Sequence, residues 1–326
     1  MKIGLPSALL NPYYRVFWRT FFEALDVEVV ETGSTTKSII NKGIKYAVPE
    51  ICVPIKIYLG HLIELMQRGV DRIYLPRFVS IKKNDSFCPK FLGLPEMVRY
   101  SIPGIEPKLI VHDLHSDNDN IATEKNYLDI GRSFTNNNKK VKEAIRIGKE
   151  KWSQFRNLCC LDGYNSREAN EYILNGRPII KKNYSIKLGV VGYVYNIYDD
   201  FISMDIINKL QQLGVSSVTF ETLNGNQIQK QLQRFPKNLF WTFSNKTMAA
   251  AYHFFEDETI DGVIQVTAFG CGPDSFLGKM LELDSQDYEK PFMIIRVDEH
   301  TGENHLQTRV EAFVEMIAKR KKEKTA

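Results

Sequence analysis

Apolar residues in this chain gather in short runs, and segments with helical spacing separate most of the runs. The first four runs lie at residues 2–5, 27–32, 72–76 and 108–111, and the second four lie at 186–192, 217–221, 261–266 and 291–296. Short and nearly continuous apolar runs are typical of strands that are buried on both faces of a parallel sheet. The pattern therefore predicts an α/β fold with two open parallel sheets, which is the arrangement of two Rossmann-like domains.

Helical spacing of apolar residues predicts the elements that connect these strands. The longest predicted helices lie at 13–25, 55–67, 201–213, 245–255 and 306–320. The segment between the two series of strands is polar and mainly helical, and it forms either a connector or an arm packed across the first domain. We therefore predict an N-terminal α/β domain at 1–115, a helical connector at 116–184 and a C-terminal α/β domain at 185–326.

Bulk composition narrows the class of protein without naming a function. A chain of 326 residues with 43% hydrophobic and 25% charged residues is ordinary for a soluble protein of two domains. The net charge of +4 is small, so we expect no nucleic-acid partner. No apolar stretch reaches the length of a membrane span, and the first residues enter a strand rather than a signal peptide, so we expect a cytoplasmic protein.

Five cysteines in such a chain point to thiol, metal or redox chemistry rather than to a disulfide framework. Cys271 lies on a predicted strand-to-helix turn, FGCGPDS at 269–275, and is followed by proline after one residue. Cys52 and Cys88 have similar settings, because each stands next to or near a proline on a loop that leads into a predicted helix. The carboxyl ends of strands and the N-termini of helices are where α/β proteins place ligand-binding atoms.

The three cysteines converge between the domains if the carboxyl ends of both sheets face each other. Three thiolates with one open position suit a [4Fe–4S] cluster. The residues alone leave other readings open: unrelated buried thiols, or a zinc ion held by the three cysteines and His61. Cys159 and Cys160 are adjacent on a predicted helix, where their side chains point about 100° apart, so we interpret them as packing residues.

Five segments of the chain resemble one known family. They are VPEICVPIK at 48–56, YLPR at 74–77, FCPKFLGLP at 87–95, FGCGPDS at 269–275 and VDEHTGE at 297–303. In this order they resemble the acyl-CoA dehydratase activase-related family, whose members are similar to the iron–sulfur subunits of 2-hydroxyacyl-CoA dehydratases and benzoyl-CoA reductase. The resemblance runs through nearly the whole chain.

This resemblance implies that Cys52, Cys88 and Cys271 bind a [4Fe–4S] cluster between the two domains. It also implies an ATP-dependent activase, an ATPase of the ASKHA type, as electron donor, an acyl-CoA substrate in the interdomain cleft, and a homo- or heterodimer. The chain has neither GxGxxG nor GxxxxGK[ST], so ATP would bind to another chain. The resemblance transfers no particular dehydratase or reductase reaction, and a non-catalytic electron-transfer or assembly module remains the alternative.

Three further residues are candidates for catalysis. His300 is interpreted as a proton donor, with Glu299 or Asp298 as the group that orients it. The alternative for this segment is a capped turn, in which Asp298 and Thr301 bind backbone N–H groups. Glu50, just before the first cysteine of the set, is either catalytic or a surface acid.

Three cations lie near the cysteine loops in the sequence. Lys56, Arg77 and Lys90 are candidates for offsetting the negative charge of a cluster or of a phosphate group. The alternative for each is a solvated surface side chain.

Overall fold

The computed structural model describes residues 1–179 and 184–325. The described residues form two four-stranded sheets, and every pair of neighbouring strands is parallel. The strands are β1 (Lys2–Leu5), β2 (Glu28–Glu31), β3 (Arg72–Ser80), β4 (Leu109–His115), β5 (Ile186–Val191), β6 (Val215–Thr219), β7 (Gly262–Ala268) and β8 (Phe292–Val297). Helices flank both sheets, so the prediction of an α/β fold with two Rossmann-like domains is confirmed.

Fifteen α-helices lie in the described ranges, together with two short 3₁₀ turns. The helices are α1 (Asn11–Ala24), α2 (Lys37–Ile44), α3 (Val53–Gln67), α4 (Pro89–Leu92), α5 (Leu94–Ser101), α6 (Glu124–Arg132), α7 (Asn138–Cys160), α8 (Ser166–Asn175), α9 (Val194–Tyr198), α10 (Asp200–Ser203), α11 (Ile206–Gln212), α12 (Gly225–Leu232), α13 (Thr242–Glu256), α14 (Gly272–Asp284) and α15 (Glu303–Thr325). None of them combines the length and the apolar composition that crossing a membrane requires.

The strand order places a possible ligand crevice in each sheet. The orders are β2-β1-β3-β4 and β6-β5-β7-β8, so the chain moves to one side of the first strand and then returns to the other side. Each sheet therefore has a topological switch point, between β1 and β3 in one and between β5 and β7 in the other. Open α/β sheets bind ligands outside the carboxyl ends of the strands at such points.

The segment between the two sheets packs against α1 of the first domain and also contacts the second domain, where Arg156 donates to the Glu221 carbonyl oxygen at 3.2 Å. Helix α7 lies along α1, and the ring of Trp152 meets the ring of Tyr13 edge to face at a centroid distance of 5.0 Å. Gly148 lies so close to Phe17 that an added Cβ would stand 2.9 Å from its ring. The end of the predicted connector, 180–183, and residue 326 lie outside the described residues.

The prediction of a single helix over 201–213 is wrong. The chain forms the short helices α10 and α11 instead, with Met204 and Asp205 between them at φ values of 49° and 56°. These left-handed conformations interrupt the helical hydrogen bonds. Asp205 accepts hydrogen bonds from Arg167 and Asn208, and these bonds hold the break in place.

Candidate functional site

The three predicted ligand cysteines share one structural position. Cys52, Cys88 and Cys271 are the N-cap residues of α3, α4 and α14, and each helix has proline at its first or second position. Proline suits the first turn of a helix because its missing N–H has no partner there in any case. The local sequence thus starts a helix directly after each thiol.

Each sulfur lies at the positive end of a helix. Backbone N–H groups of Ile55, of Phe91 and of Asp274, in the first turns of these helices, act to lower the pKa of the capping thiols. Such donors stabilise a thiolate or a metal-bound sulfur. The arrangement suits an anionic group held by sulfur.

The three thiols influence one another across the domain interface. Burial raises the pKa of all three, and the charge of Asp274 raises the pKa of Cys271 further. The thiols of Cys52 and Cys88 also raise the pKa of Cys271, so they lie close to it although they belong to the other domain. Three half-buried thiols with raised pKa values are poor thiolates by themselves. A bound metal would reverse this balance because it deprotonates its sulfur ligands.

The described residues contain no group of three or more His, Cys, Asp or Glu side chains placed to hold a metal ion. The zinc alternative also lacks its fourth ligand. Both ring nitrogens of His61 are engaged, Nδ1 with Thr32 Oγ1 at 2.6 Å and Nε2 with Thr35 Oγ1 at 2.8 Å. In a four-iron cluster each cysteine binds a different iron, so its ligands do not gather around one ion. The donor set fits such a cluster better than a mononuclear site.

Aromatic side chains from α9 and from the loop before it form a wall beside the thiols. Burial raises the pKa values of Tyr193 and Tyr195, and the nearby Cys271 and Cys88 raise them further. The ring of Tyr195 also lies 6.1 Å from the ring of Phe91 between centroids. These residues close the site from the side of the second domain and limit its contact with water.

Asp274 is a residue that the sequence reasoning did not single out. Its side chain is fully buried, and its Oδ2 accepts hydrogen bonds from Thr267 at 3.0 Å and from Asn196 at 3.3 Å. Burial raises the pKa of this carboxyl to about 7, although the bond from Thr267 acts in the opposite direction. Its position three residues after Cys271 was the signal available in the sequence, but it did not reveal the burial.

Glu299 is paired with Lys56 across the interface. The ammonium group of Lys56 donates to the Glu299 carboxylate and also to the carbonyl oxygen of Pro49, at 2.8 Å for the latter. Burial acts to raise the pKa of Glu299, but the hydrogen bond and charge of Lys56 outweigh it and lower the pKa. Glu299 is therefore an ionised carboxylate that joins the domains.

The segment around His300 is a capped turn, the alternative interpretation of this sequence. Asp298 Oδ1 accepts hydrogen bonds from the His300 backbone N–H at 2.9 Å and from Thr301 Oγ1 at 2.8 Å. The His300 side chain is 86% exposed, and its Nε2 lies 4.0 Å from Glu299 Oε1. The roles of His300, Glu299 and Glu50 in catalysis stay predictions.

The other candidate residues differ in where they lie. Glu50 is exposed. The charge of Lys90 lies close enough to Cys52 to lower the pKa of its thiol, against the larger effect of burial. Arg77 forms ion pairs with Glu96 and Asp113, with the second pair at 3.6 Å. Of the three predicted cations, Lys90 is the one whose charge reaches a sulfur.

The loop that carries Cys88 is fastened to the second domain. Ser86 accepts a hydrogen bond from the Thr242 backbone N–H at 3.0 Å, and its own N–H donates to Phe240 at 2.8 Å. Asn245 donates to Asp85 Oδ2 at 3.1 Å. These contacts hold the start of α13 against the loop before α4, so the Cys88 thiol has a fixed position relative to the domain that carries Cys271.

These features define a class: a two-domain α/β protein with a thiol site between the carboxyl edges of its sheets. Residues 2–223 match the family model of the CoA enzyme activase uncharacterised domain, and residues 203–317 match that of the 2-hydroxyglutaryl-CoA dehydratase D-component. The first match covers more than half of the chain, so the chain belongs to the CoA enzyme activase uncharacterised domain family. The resemblance to acyl-CoA dehydratase activase-related proteins is thus confirmed. No curated protein matches the chain significantly.

Proposed function

We propose that the chain binds one [4Fe–4S] cluster through Cys52, Cys88 and Cys271 and receives low-potential electrons from an ATP-dependent activase. The observation that carries the proposal is the convergence of three helix-capping thiols, two from one domain and one from the other. The two family matches support it, because one is to a CoA enzyme activase domain and the other to a dehydratase component. The first matched range contains Cys52 and Cys88, and the second contains Cys271.

The chain's own residues prepare the site for an anionic group. The backbone N–H groups at the starts of α3, α4 and α14 act to lower the pKa of the three thiols, and Lys90 adds a positive charge near Cys52. The aromatic wall of Tyr193 and Tyr195 keeps the site partly dry. A bound cluster of this kind supplies one-electron transfer and, at an iron without a cysteine ligand, a position for a substrate oxygen.

The proposed substrate is an acyl-CoA thioester that binds in the interdomain cleft. Glu299 holds the 298–301 turn against α3 through Lys56 and so shapes one edge of the cleft. His300 is exposed on this turn, and its imidazole is the proposed proton donor. Glu50, exposed on the loop before Cys52, is the second proposed acid–base group.

Anaerobic purification tests the ligand assignment directly. We expect a brown protein with about four irons and four sulfides per chain. Cys271→Ala should lose most of the iron, whereas Cys159→Ser is the matched control, since Cys159 is fully buried on α7 and belongs to no part of the site. Full iron occupancy in Cys271→Ala would overturn the assignment.

The alternative function is a non-catalytic electron-transfer or assembly module. Phe269 and Phe276 flank Cys271 and are 65% and 59% exposed, and exposed apolar side chains beside a site suit contact with another protein. An activity assay with acyl-CoA thioesters separates the two functions. Turnover by the loaded chain with its activase supports catalysis, and turnover that needs a further subunit supports the module.

A further inference from the structure

A relay of four side chains, three of them buried and Thr35 half-buried, crosses the domain interface through hydrogen bonds. His61 on α3 bonds to Thr32 through Nδ1 at 2.6 Å and to Thr35 through Nε2 at 2.8 Å. Thr35 bonds in turn to Asp199 Oδ2 at 2.5 Å. Asp199 is the N-cap of α10, so the relay begins in the first domain and ends in the second.

The carboxylate of Asp199 fixes the direction of the bond at its end. Asp199 Oδ1 accepts the backbone N–H groups of Phe201 at 3.0 Å and of Ile202 at 3.1 Å. An ionised carboxylate accepts hydrogen bonds and donates none. Thr35 must therefore use its only hydroxyl hydrogen to donate to Oδ2.

The direction of this bond determines the direction of the other hydrogen bonds among the four side chains. Because Thr35 has given its hydrogen to the carboxylate, it accepts from His61, and the neutral imidazole must carry its hydrogen on Nε2. Nδ1 then accepts a hydrogen bond from the hydroxyl of Thr32. Thr32 in turn accepts the Ser7 backbone N–H at 2.9 Å. With Asp199 ionised, every bond in the chain points towards the second domain.

Asp199 is a buried acid without a paired cation. Its residue is 7% exposed, and the neighbouring Asp200 has the same charge. Arg167 forms its ion pairs with Asp200 and Asp205, and among residues 1–179 and 184–325 no lysine or arginine forms an ion pair with Asp199. Burial raises the pKa of Asp199 to about 6, against the effect of the Thr35 hydroxyl and the two capping N–H groups.

His61 stays neutral while Asp199 titrates. Burial lowers the pKa of His61 to about 4; the charge of Glu64 acts to raise it, and that of Arg68 to lower it. The imidazole can therefore exchange one ring hydrogen for another without becoming a cation. A neutral ring with both nitrogens bonded can pass a proton from one side to the other.

We propose that Thr32, His61, Thr35 and Asp199 form a proton relay across the domain interface, which takes up one proton and stores it on Asp199. A proton delivered by water to the Thr32 hydroxyl, whose residue is 5% exposed, displaces the Thr32 hydrogen onto Nδ1 of His61. The Nε2 hydrogen moves to Thr35, and the Thr35 hydrogen moves to Oδ2. The relay gains one proton in total, each of its hydrogen bonds reverses, and His61 ends with its hydrogen on Nδ1.

The relay ends at a cavity of about 340 Å³ between the domains, and both Thr35 and Asp199 line it. The stored proton removes one negative charge from the wall of this cavity. In the reversed state the Thr32 hydroxyl no longer has the imidazole as its acceptor. This loss favours the original direction and moves the midpoint of the change towards lower pH.

The tautomer of His61 reports the direction of the relay. We would label the histidines of the full-length chain with ¹⁵N and record their ring nitrogen shifts by NMR from pH 7.5 to 4.5, and the His61→Gln variant would identify the His61 signals. We expect hydrogen on Nε2 at pH 7.5 and on Nδ1 after a change with its midpoint near pH 6 or below. A tautomer that stays the same over this range overturns the proposal, as does an imidazolium signal with its midpoint near 6.

Two variants test the mechanism, and a third is a matched control. In Asp199→Asn the side-chain oxygen is needed for the cap of α10, so the NH₂ group faces Thr35 and locks His61 with its hydrogen on Nδ1 at every pH. Thr35→Val breaks the chain, so the tautomer becomes independent of pH even if Asp199→Asn fails to fold. Asp200→Asn should keep the change and lower its midpoint, since the charge of Asp200 no longer acts on Asp199. A hydrogen on Nε2 in Asp199→Asn, or a retained change in Thr35→Val, contradicts the relay.

Discussion

The ion pair between Lys56 and Glu299 is expected to hold the two domains together at the cysteine site. We predict that Glu299→Ala destabilises the chain because it leaves the Lys56 ammonium buried without its partner. Lys56 is 5% exposed in its side chain, and among the described residues it keeps the Pro49 carbonyl as acceptor in this variant. The free energy of unfolding should therefore fall by more than the contribution of one hydrogen bond.

The size of the effect follows from the burial of the two side chains. Removing one partner of a fully buried pair costs about 3–5 kcal/mol. Glu299 is 16% exposed, so water reaches part of the pair, and we expect about 2–4 kcal/mol for Glu299→Ala. Lys56→Met should cost less, because the more exposed carboxylate regains water. The double variant leaves no unpaired charge and should cost less than the sum of the two, by at least ~1 kcal/mol.

Urea unfolding of the metal-free chain, followed by circular dichroism and tryptophan fluorescence, gives the four free energies of this cycle. The matched control is Glu282→Ala, which breaks the exposed pair with Lys279 and should change stability by about 0.5 kcal/mol or less. Because Lys56 lowers the pKa of Glu299, the pair's contribution is present above the ordinary pKa of glutamate, about 4.3, and is lost as the pH falls through the lower value. Additive effects of the two single variants would refute the reasoning.

Two further predictions concern the backbone and the pH response. Gly43→Ala should cost about 3 kcal/mol or more, because the added Cβ would stand 1.7 Å from the Lys56 carbonyl oxygen, whereas Gly225→Ala has open space and should be nearly neutral in the same unfolding assay. The raised pKa of Asp274 means that the folded chain binds a proton more tightly than the unfolded chain, so stability should fall as the pH rises from about 4 to about 7. Asp274→Asn should flatten this slope in melting temperatures measured from pH 5 to 8, and an unchanged slope would contradict the burial argument.

The sequence predicted each of the eight described strands, because buried parallel strands are apolar throughout. The limits of the strands were less predictable. β3 continues to Ser80 rather than ending at Pro76, because β4 pairs with it as far as His115, and a local pattern contains no information about that partner. The break at Met204 and Asp205 was missed for a similar reason: neither residue is glycine, and the contacts that hold their left-handed backbone come from elsewhere in the chain.

The candidate site likewise has features that the local sequence predicts and features that depend on distant parts of the chain. The positions of the three cysteines followed from the nearby prolines, which mark the starts of helices locally. Lys56 and Glu299 are 243 residues apart, and only the folded chain brings them together. Asp274 reads as an ordinary exposed acid in the first turn of a helix, and its burial depends on Asn196 and Thr267, which other elements place.

The shared strand order of the two sheets makes the halves of the chain comparable position by position. Cys88 follows the third strand of the first half, and Cys271 follows the third strand of the second half. Cys52 caps the helix before the third strand, and Trp241 caps the corresponding helix of the second half. The two halves thus offer four equivalent positions in the order of their elements, and a tryptophan stands at the fourth, where the other three have cysteine.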